Sequence, residues 1–294
     1  MGLVPVLFFL AAGGTLPTVA LPARAGDTER RATEEVATLV DVTGSHLRPN
    51  GGGPLPPSST PELDDPIARA HRLMKGCRDR YQSVHDYTCT FYKRERVDGR
   101  LTGQAVMSMK ARTRPMSIYM KFRHPNTGRE AIWVAGRNHG QVVVHDVGLY
   151  KFLAGTMHLD PRGSRAMEDN RHPITDAGIG RLIDTVIGHW ERELTPGESQ
   201  VTIHPNLRVG DRPCLLIVST HPKPGPGFLF HQARITIDQE HNLPIRFEAY
   251  DWPKTPGVAP ELVEEYIYSN LKLNVGLSER DFDPSNAQYS FGRF

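Results

Sequence analysis

Strict alternation of apolar and polar positions runs through much of this chain. Ile118, Met120 and Phe122 alternate with Ser117, Tyr119 and Lys121, and Ile235 and Ile237 alternate with Arg234, Thr236 and Asp238. A period of two is the signature of strands with one face buried. The pattern predicts strands over 116–123, 130–136, 141–147, 212–220, 229–238, 243–250 and 262–273. Turn residues such as Asn138-His139-Gly140 between the runs imply antiparallel pairing. The clearest hairpin joins 87–97 to 100–110 through Asp98-Gly99, the preferred two-residue turn pair. Extending its register sets Val97 opposite Arg100, Phe91 opposite Val106 and Arg94 opposite Gly103. Arg94 and Arg96 then share a face with Met107 and Met109, and a glycine opposite Arg94 leaves room for its side chain to lie across the sheet.

Helical spacing appears twice in the folded part. Asp65-Pro66 supplies a cap and a first-turn proline. Ile67, Ala70, Met74, Cys77 and Tyr81 follow at steps of three and four, opposite a face carrying Arg69, Arg72, Lys75, Arg78 and Arg80. The second pattern begins with Thr175 as the expected N-cap, with Ile174 and Ile179 as a staple. Ile179, Leu182, Ile183, Val186, Ile187, Trp190 and Leu194 make a broad apolar face that stops at Thr195-Pro196-Gly197. Gly178, Gly180 and Gly188 cost about 1 kcal/mol each relative to alanine in a helix, so tertiary packing must stabilise it. The expected fold class is α+β: a strongly curved antiparallel sheet, an incomplete barrel, with helices covering its concave face. So many strands require curvature or closure to manage their edges.

The N-terminus changes the picture of location. Residues 3–12 form the one strongly apolar run, too short at about 15 Å to span a ~30 Å hydrocarbon core. Ala23-Arg24-Ala25 offers a cleavage site before Gly26, so residues 1–25 are expected to be a secretory signal. Residues 26–63 form a linker containing a Pro/Gly/Ser-rich stretch unable to bury a core. The folded domain is expected over 64–294. A secreted protein without a stable membrane span follows as the expectation. The 294 residues carry a formal net charge of +2, which gives no global case for nucleic acid as a partner.

Several words along the chain resemble one family. They are Phe91-Tyr92-Lys93-Arg94-Glu95-Arg96, Met120-Lys121-Phe122-Arg123, Gly128-Arg129-Glu130-Ala131, Leu159-Asp160-Pro161, Asn170-Arg171-His172-Pro173-Ile174-Thr175 and Asp281-Phe282-Asp283-Pro284. Together they resemble a domain-of-unknown-function family of secreted bacterial proteins, related in fold to the LolA/LolB-type periplasmic lipoprotein carriers. The resemblance implies an incomplete β-barrel with helices over an apolar cavity that holds acyl chains. It brings no catalytic residues. Carriers of the LolA type use an inward-pointing arginine to latch the lid, and Arg94 is the candidate for that role.

Chemistry is sparse. No GxSxG, HExxH or P-loop is present. Thirteen histidines, His139, His145 and His172 among them, show no pair at helical i, i+4 spacing beside a carboxylate. No metal and no cofactor is implied. The densest polar cluster is Glu168, Asp169, Arg171, His172 and Asp176, which reads as a polar mouth for a headgroup or as a solvated cap on the following helix. Cys77 and Cys89 read as a disulfide or as two buried thiols. Ten Lys/Arg between 93 and 129 face only Glu95 and Asp98 within that stretch, a pattern that suits an anionic surface or simple solubility.

The expected function is non-enzymatic: a carrier or sensor for a lipid, lipoprotein acyl chain or other apolar or amphiphilic ligand, with an envelope protein as a possible partner. Expected ligand-binding residues are Arg94, Ile118, Met120, Phe122, Arg171, His172, Ile183, Ile187, Ile235, Ile237 and Phe247. The alternatives are an envelope-acting hydrolase or transferase using the Asp169–Asp176 cluster, and a structural interaction module.

Overall fold

A computed structural model describes residues 65–147, 155–193 and 199–292. The expected signal (1–25), the linker (26–63), Leu194 and the Thr195-Pro196-Gly197 stop lie outside the described residues.

Helix α1, Pro66–Tyr81, starts where Asp65 accepts a hydrogen bond from the Ile67 amide at 3.2 Å, and it buries Ile67, Ala70, Met74 and Cys77. Strand β1, Asp86–Val97, follows, then β2, Arg100–Leu101, and β3, Ala105–Arg112. The sheet continues through β4, Ser117–His124, β5, Glu130–Val134, β6, Val142–His145, and β7, Thr156–Leu159. A single helical turn, α2, spans Ser164–Met167, and the long helix α3 spans Ile179–Glu193. Strands β8, Gln200–Val209, β9, Arg212–Thr220, β10, Gln232–Asp238, β11, Leu243–Tyr250, and β12, Leu262–Leu273, complete the sheet.

The strand order is β7-β6-β5-β4-β3-β1-β12-β11-β10-β9-β8, every neighbour antiparallel, with β2 paired to β1 beside this path. The chain therefore begins in the middle, winds outward to β7, crosses to the opposite edge at β8, and winds back until β12 meets β1. The crossing segment contains α2 and α3. It must pass over one face of the sheet, and this is why that face is covered.

The sheet is open and strongly curved. At about 4.8 Å per strand, β7 and β9 would stand about 43 Å apart in a flat sheet. Yet Met157 and Leu159 of β7 and Ser219 of β9 border the same cavity. Only a sheet rolled around its contents brings them together. The principal core fills the concave side, with Met74 and Cys77 of α1, Ile179, Ile183 and Ile187 of α3, and Ile217, Ile235 and Ile237 of the sheet.

Two segments escape the sequence pattern. β7 is four residues long, and β8 contains Pro205 and a register shift between His204 and Leu207, features suited to an edge strand.

The second helix starts later than its sequence indicates. Ile174–Asp176 is a separate 3-10 turn, and α3 begins only at Ile179. Gly178 stands between them at φ 107°, and the Tyr87 hydroxyl, not Thr175, accepts from the Ile179 amide at 3.1 Å. Gly180 has a packing reason. A Cβ there would fall 2.4 Å from Cε1 of Tyr81, so the glycine lets α3 lie close against α1.

On the convex side, the segment after β12 forms a strap. Asp86 accepts from the amides of Val275, Gly276 and Leu277, and Lys110 pairs with Asp281 at 2.8 Å. Phe282 and Phe291 then pack on Tyr119, Ile132 and Val143. The basic stretch is largely neutralised from elsewhere in the chain: Arg112 pairs with Glu279, Lys121 with Glu130, Arg129 with Asp146 and Arg96 with Glu261. Cys77, Cys89 and Cys214 are buried free thiols, and burial pushes Cys77 up to about 12.

Candidate ligand-binding cavity

The concave face encloses a cavity of about 660 Å³. Its floor is aromatic and aliphatic. Phe91 stacks on Tyr266 with centroids 6.1 Å apart, Tyr266 on Phe247 at 6.3 Å, and Phe91 meets Tyr268 at 5.0 Å. Met107, Met120, Phe122 and Ile235 extend the floor, while Leu182, Val186 and Trp190 of α3 form the roof.

The side wall is the crossing segment itself. Pro161, Ala166, Asn170, His172, Pro173 and Ile174 all border the cavity. A polar clasp fastens this segment to the sheet. Glu95 of β1 and Glu264 of β12 are direct cross-strand partners, 1% and 4% exposed. Like charges so placed repel, and donors from both sides compensate them. Glu95 accepts from the Tyr266 hydroxyl at 2.6 Å, from Lys93 Nζ at 2.9 Å and from the Arg171 amide at 2.8 Å. Glu264 accepts from Arg171 Nε at 3.0 Å and lies 2.8 Å from His172 Nε2. Lys93 also donates to Asn170 Oδ1. Its hydrogen bond to the Glu264 carboxylate holds the His172 imidazole above its usual range. Burial and the two glutamates push the Tyr266 hydroxyl far up, so it remains a donor.

The expected ligand residues separate into groups. Met120, Phe122, His172, Ile235 and Phe247 line the cavity. Ile183, Ile187 and Ile237 lie in the solid core instead, and Ile118 borders a smaller cavity of about 210 Å³ beside Tyr81 and Tyr87. Helix α3 turns its Ile183/Ile187 stripe to the core and its Leu182/Val186 side to the cavity. Arg171 does not line the cavity; it reaches Glu264 from the clasp.

Arg94 is on the other face. The hairpin pairs Val97 with Arg100 as expected, but β1 pairs with β3 as Phe91 with Met107 and Lys93 with Ala105. One extra residue enters around Thr102, and a one-residue slip reverses which side chains face inward. Phe91, Lys93 and Glu95 consequently point into the concavity, and Arg94 sits opposite Glu265 on the convex side. The inward word in Phe91–Arg96 is thus its odd-numbered half. Lys93, Glu95, Glu264 and Tyr266 were absent from the expected set because their convergence depends on the β1–β12 pairing, and hydrogen-bonded Glu95 and Tyr266 are 171 positions apart.

Of the polar cluster, Glu168, Asp169, His172 and Asp176 border the cavity, but their partners differ. Asp176 pairs with exposed Arg162 at 3.2 Å and accepts from Thr175, while Arg171 and His172 turn to Glu264. Among the described residues no group of His, Cys, Asp and Glu is arranged to hold a metal ion, and no helix is long and apolar enough to cross a membrane.

A family model described as Protein of unknown function (DUF1571) matches residues 84–291, from just before β1 to the end of the convex strap. The chain belongs to this family. No curated protein matches it. Solved structures with a similar chain trace include a DUF1329 family protein from Desulfovibrio piger, at 14% identity and TM-score 0.37, covering 74% of this chain and 98% of that one. The Mycobacterium tuberculosis lipoprotein LppX is similar at 12% identity and TM-score 0.43, covering 73% and 98%. The Pseudomonas aeruginosa MucA/MucB complex is similar at 11% identity and TM-score 0.42, covering 74% and 61%. These likenesses concern fold alone.

Proposed function

We propose that this protein is a carrier or sensor, acting outside the cytoplasm, that holds an apolar or amphiphilic ligand such as a lipid or a lipoprotein acyl chain. The observation that carries this reading is the cavity of about 660 Å³ between the aromatic floor and the Leu182/Val186 side of α3. Its volume is that of a small-molecule site, and its aromatic and aliphatic surface is bordered by charged side chains, among them Arg129, Asp146, Arg165, Asp169 and Arg181, that suit an amphiphile. The clasp gives the ligand a polar neighbourhood at the wall and fastens the crossing segment over the cavity. The location rests on the expected signal at 1–25, and an envelope protein that takes over the ligand is the partner this role calls for.

The arrangement favours holding over catalysis. Both oxygens of Glu95 and one of Glu264 already serve the clasp, and among the described residues no hydroxyl or thiol is hydrogen-bonded to His172 as an activated nucleophile would be. The test is mass spectrometry of lipids extracted from protein purified from its native envelope, with titration of an environment-sensitive fatty-acid probe. Co-purifying lipid and saturable probe binding are expected. Absence of both, or substrate turnover that disappears in His172→Ala, overturns the reading.

A further inference from the structure

One group on the cavity wall has no hydrogen-bond partner among the described residues. Ser219 of β9 is 1% exposed and borders the cavity, yet its hydroxyl makes no hydrogen bond. A buried hydroxyl without a partner is costly, and such groups are rare in native proteins. Its place in the sheet is informative. Across the strands, Ser219 pairs with Ala233, Ala233 with Ala249, Ala249 with Glu264, and Glu264 with Glu95. The serine and the clasp therefore lie in a single row running across the concave face. Two small alanines lie between them. At about 4.8 Å per strand, the three steps from Ser219 to Glu264 span about 14 Å.

Resting on the carrier reading above, we infer that Ser219 is a second polar anchor in the cavity. The ligand is then an amphiphile whose headgroup lies at the clasp and whose chain carries an oxygen function, a hydroxyl or a carbonyl, that meets Ser219. A plain hydrocarbon chain would leave the serine unpaired. An oxygenated chain completes it, because a serine hydroxyl can donate to a carbonyl and either donate to or accept from a hydroxyl. Of the two alanines, Ala233 borders the cavity and Ala249 is buried in the core beneath it, so no bulky side chain of that row stands between the serine and the clasp.

The experiment uses 1-stearoylglycerol and a set of counterparts hydroxylated at successive positions along the chain, each displacing a fluorescent fatty acid from the full-length protein. At least one hydroxylated member is expected to bind the wild type about tenfold more tightly than the plain chain, which corresponds to ~1.4 kcal/mol. Ser219→Ala should abolish that preference while binding the plain chain at least as well, and Ser219→Thr should retain it. Equal affinity for all members in the wild type means that water alone satisfies the hydroxyl, and it overturns the inference while leaving the carrier reading intact. A preference that survives in Ser219→Ala also overturns it. If no member displaces the probe, the carrier reading falls and takes the inference with it.

Discussion

Glu95 and Glu264 face each other across strands β1 and β12, and the Arg171 residue of the crossing segment touches both, through its amide and its guanidinium. Two buried carboxylates in adjacent strands are unfavourable by themselves. Here they are the point at which the cover of the cavity is fastened to its floor. Replacing Glu95 with alanine leaves the Tyr266 hydroxyl and the Arg171 amide without this acceptor and Lys93 with Asn170 alone. We expect a loss of about 3 kcal/mol, typical of breaking a buried pair from one side, measured by denaturant titration. A double-mutant cycle with Arg171→Ala should show coupling, because both residues belong to one network. Additive losses would mean that the clasp is a collection of independent contacts.

The clasp has a pH dependence with a definite sign. His172 is raised above its ordinary value of 6.5, chiefly by its hydrogen bond to Glu264. A group raised on folding contributes its stabilisation fully below the unfolded pKa, and the contribution fades as pH rises through the folded one. The crossing segment should therefore be held most firmly below about pH 6.5, and it should loosen as His172 loses its proton. The imidazole is 46% exposed, so solvent screening keeps the effect on global stability small. Local measurements are the suitable ones. Titration of the His172 ring protons by NMR should show the raised value, and Glu264→Gln should lower it. Trypsin should cut at Arg162 or Arg165 more readily on the alkaline side in the wild type, with the difference reduced in the variant.

The limits of the sequence are clearest in β1. Its existence, its turn at Asp98-Gly99 and the pairing of Val97 with Arg100 follow from local chemistry. The face it presents does not, because one residue inserted near Thr102 separates the β2 register from the β3 register. Alternation cannot reveal this: Arg94 and Lys93 are neighbours of the same chemical type, and either fits an inward or outward position. The bounds of β9, β11 and β12 agree with the expected 212–220, 243–250 and 262–273, since clean period-two runs and turn residues delimit them. The clasp was half visible. Arg171 and His172 stood out as a dense polar word, but their acceptors lie on strands brought together only by the closing β1–β12 pairing.

Gly180 gives a test of how α3 is seated. In isolation, alanine would favour a helix over glycine by about 1 kcal/mol. The added Cβ would strike Tyr81, whose ring is packed at the α1–α3 contact. Overpacking of this kind costs about 1–3 kcal/mol, so a net destabilisation is expected in a denaturant titration of Gly180→Ala. Combining it with Tyr81→Leu should recover part of the loss. A stabilised Gly180→Ala protein would show that the two helices are not in close contact there.

The two sides of α3 make the boundary between core and cavity measurable. Ile183 is 1% exposed and surrounded by the principal core, whereas Leu182, one position earlier, borders the cavity. Truncating a residue in solid packing removes contacts on every side, so Ile183→Ala should cost about 2–5 kcal/mol. Leu182 already faces open space and has fewer contacts to lose, so Leu182→Ala should cost less than the low end of that range. Ligand binding should respond in the opposite order. Leu182→Ala enlarges the accessible space, and a bulkier fluorescent fatty acid should bind more tightly relative to a slim one. Ile183→Ala should leave that ratio unchanged, because its side chain does not reach the cavity. Denaturant and probe titrations on the same two variants separate the cases. If Ile183→Ala alters probe selectivity while Leu182→Ala does not, the helix is rotated from the placement described, and the cavity wall must be assigned to its other face.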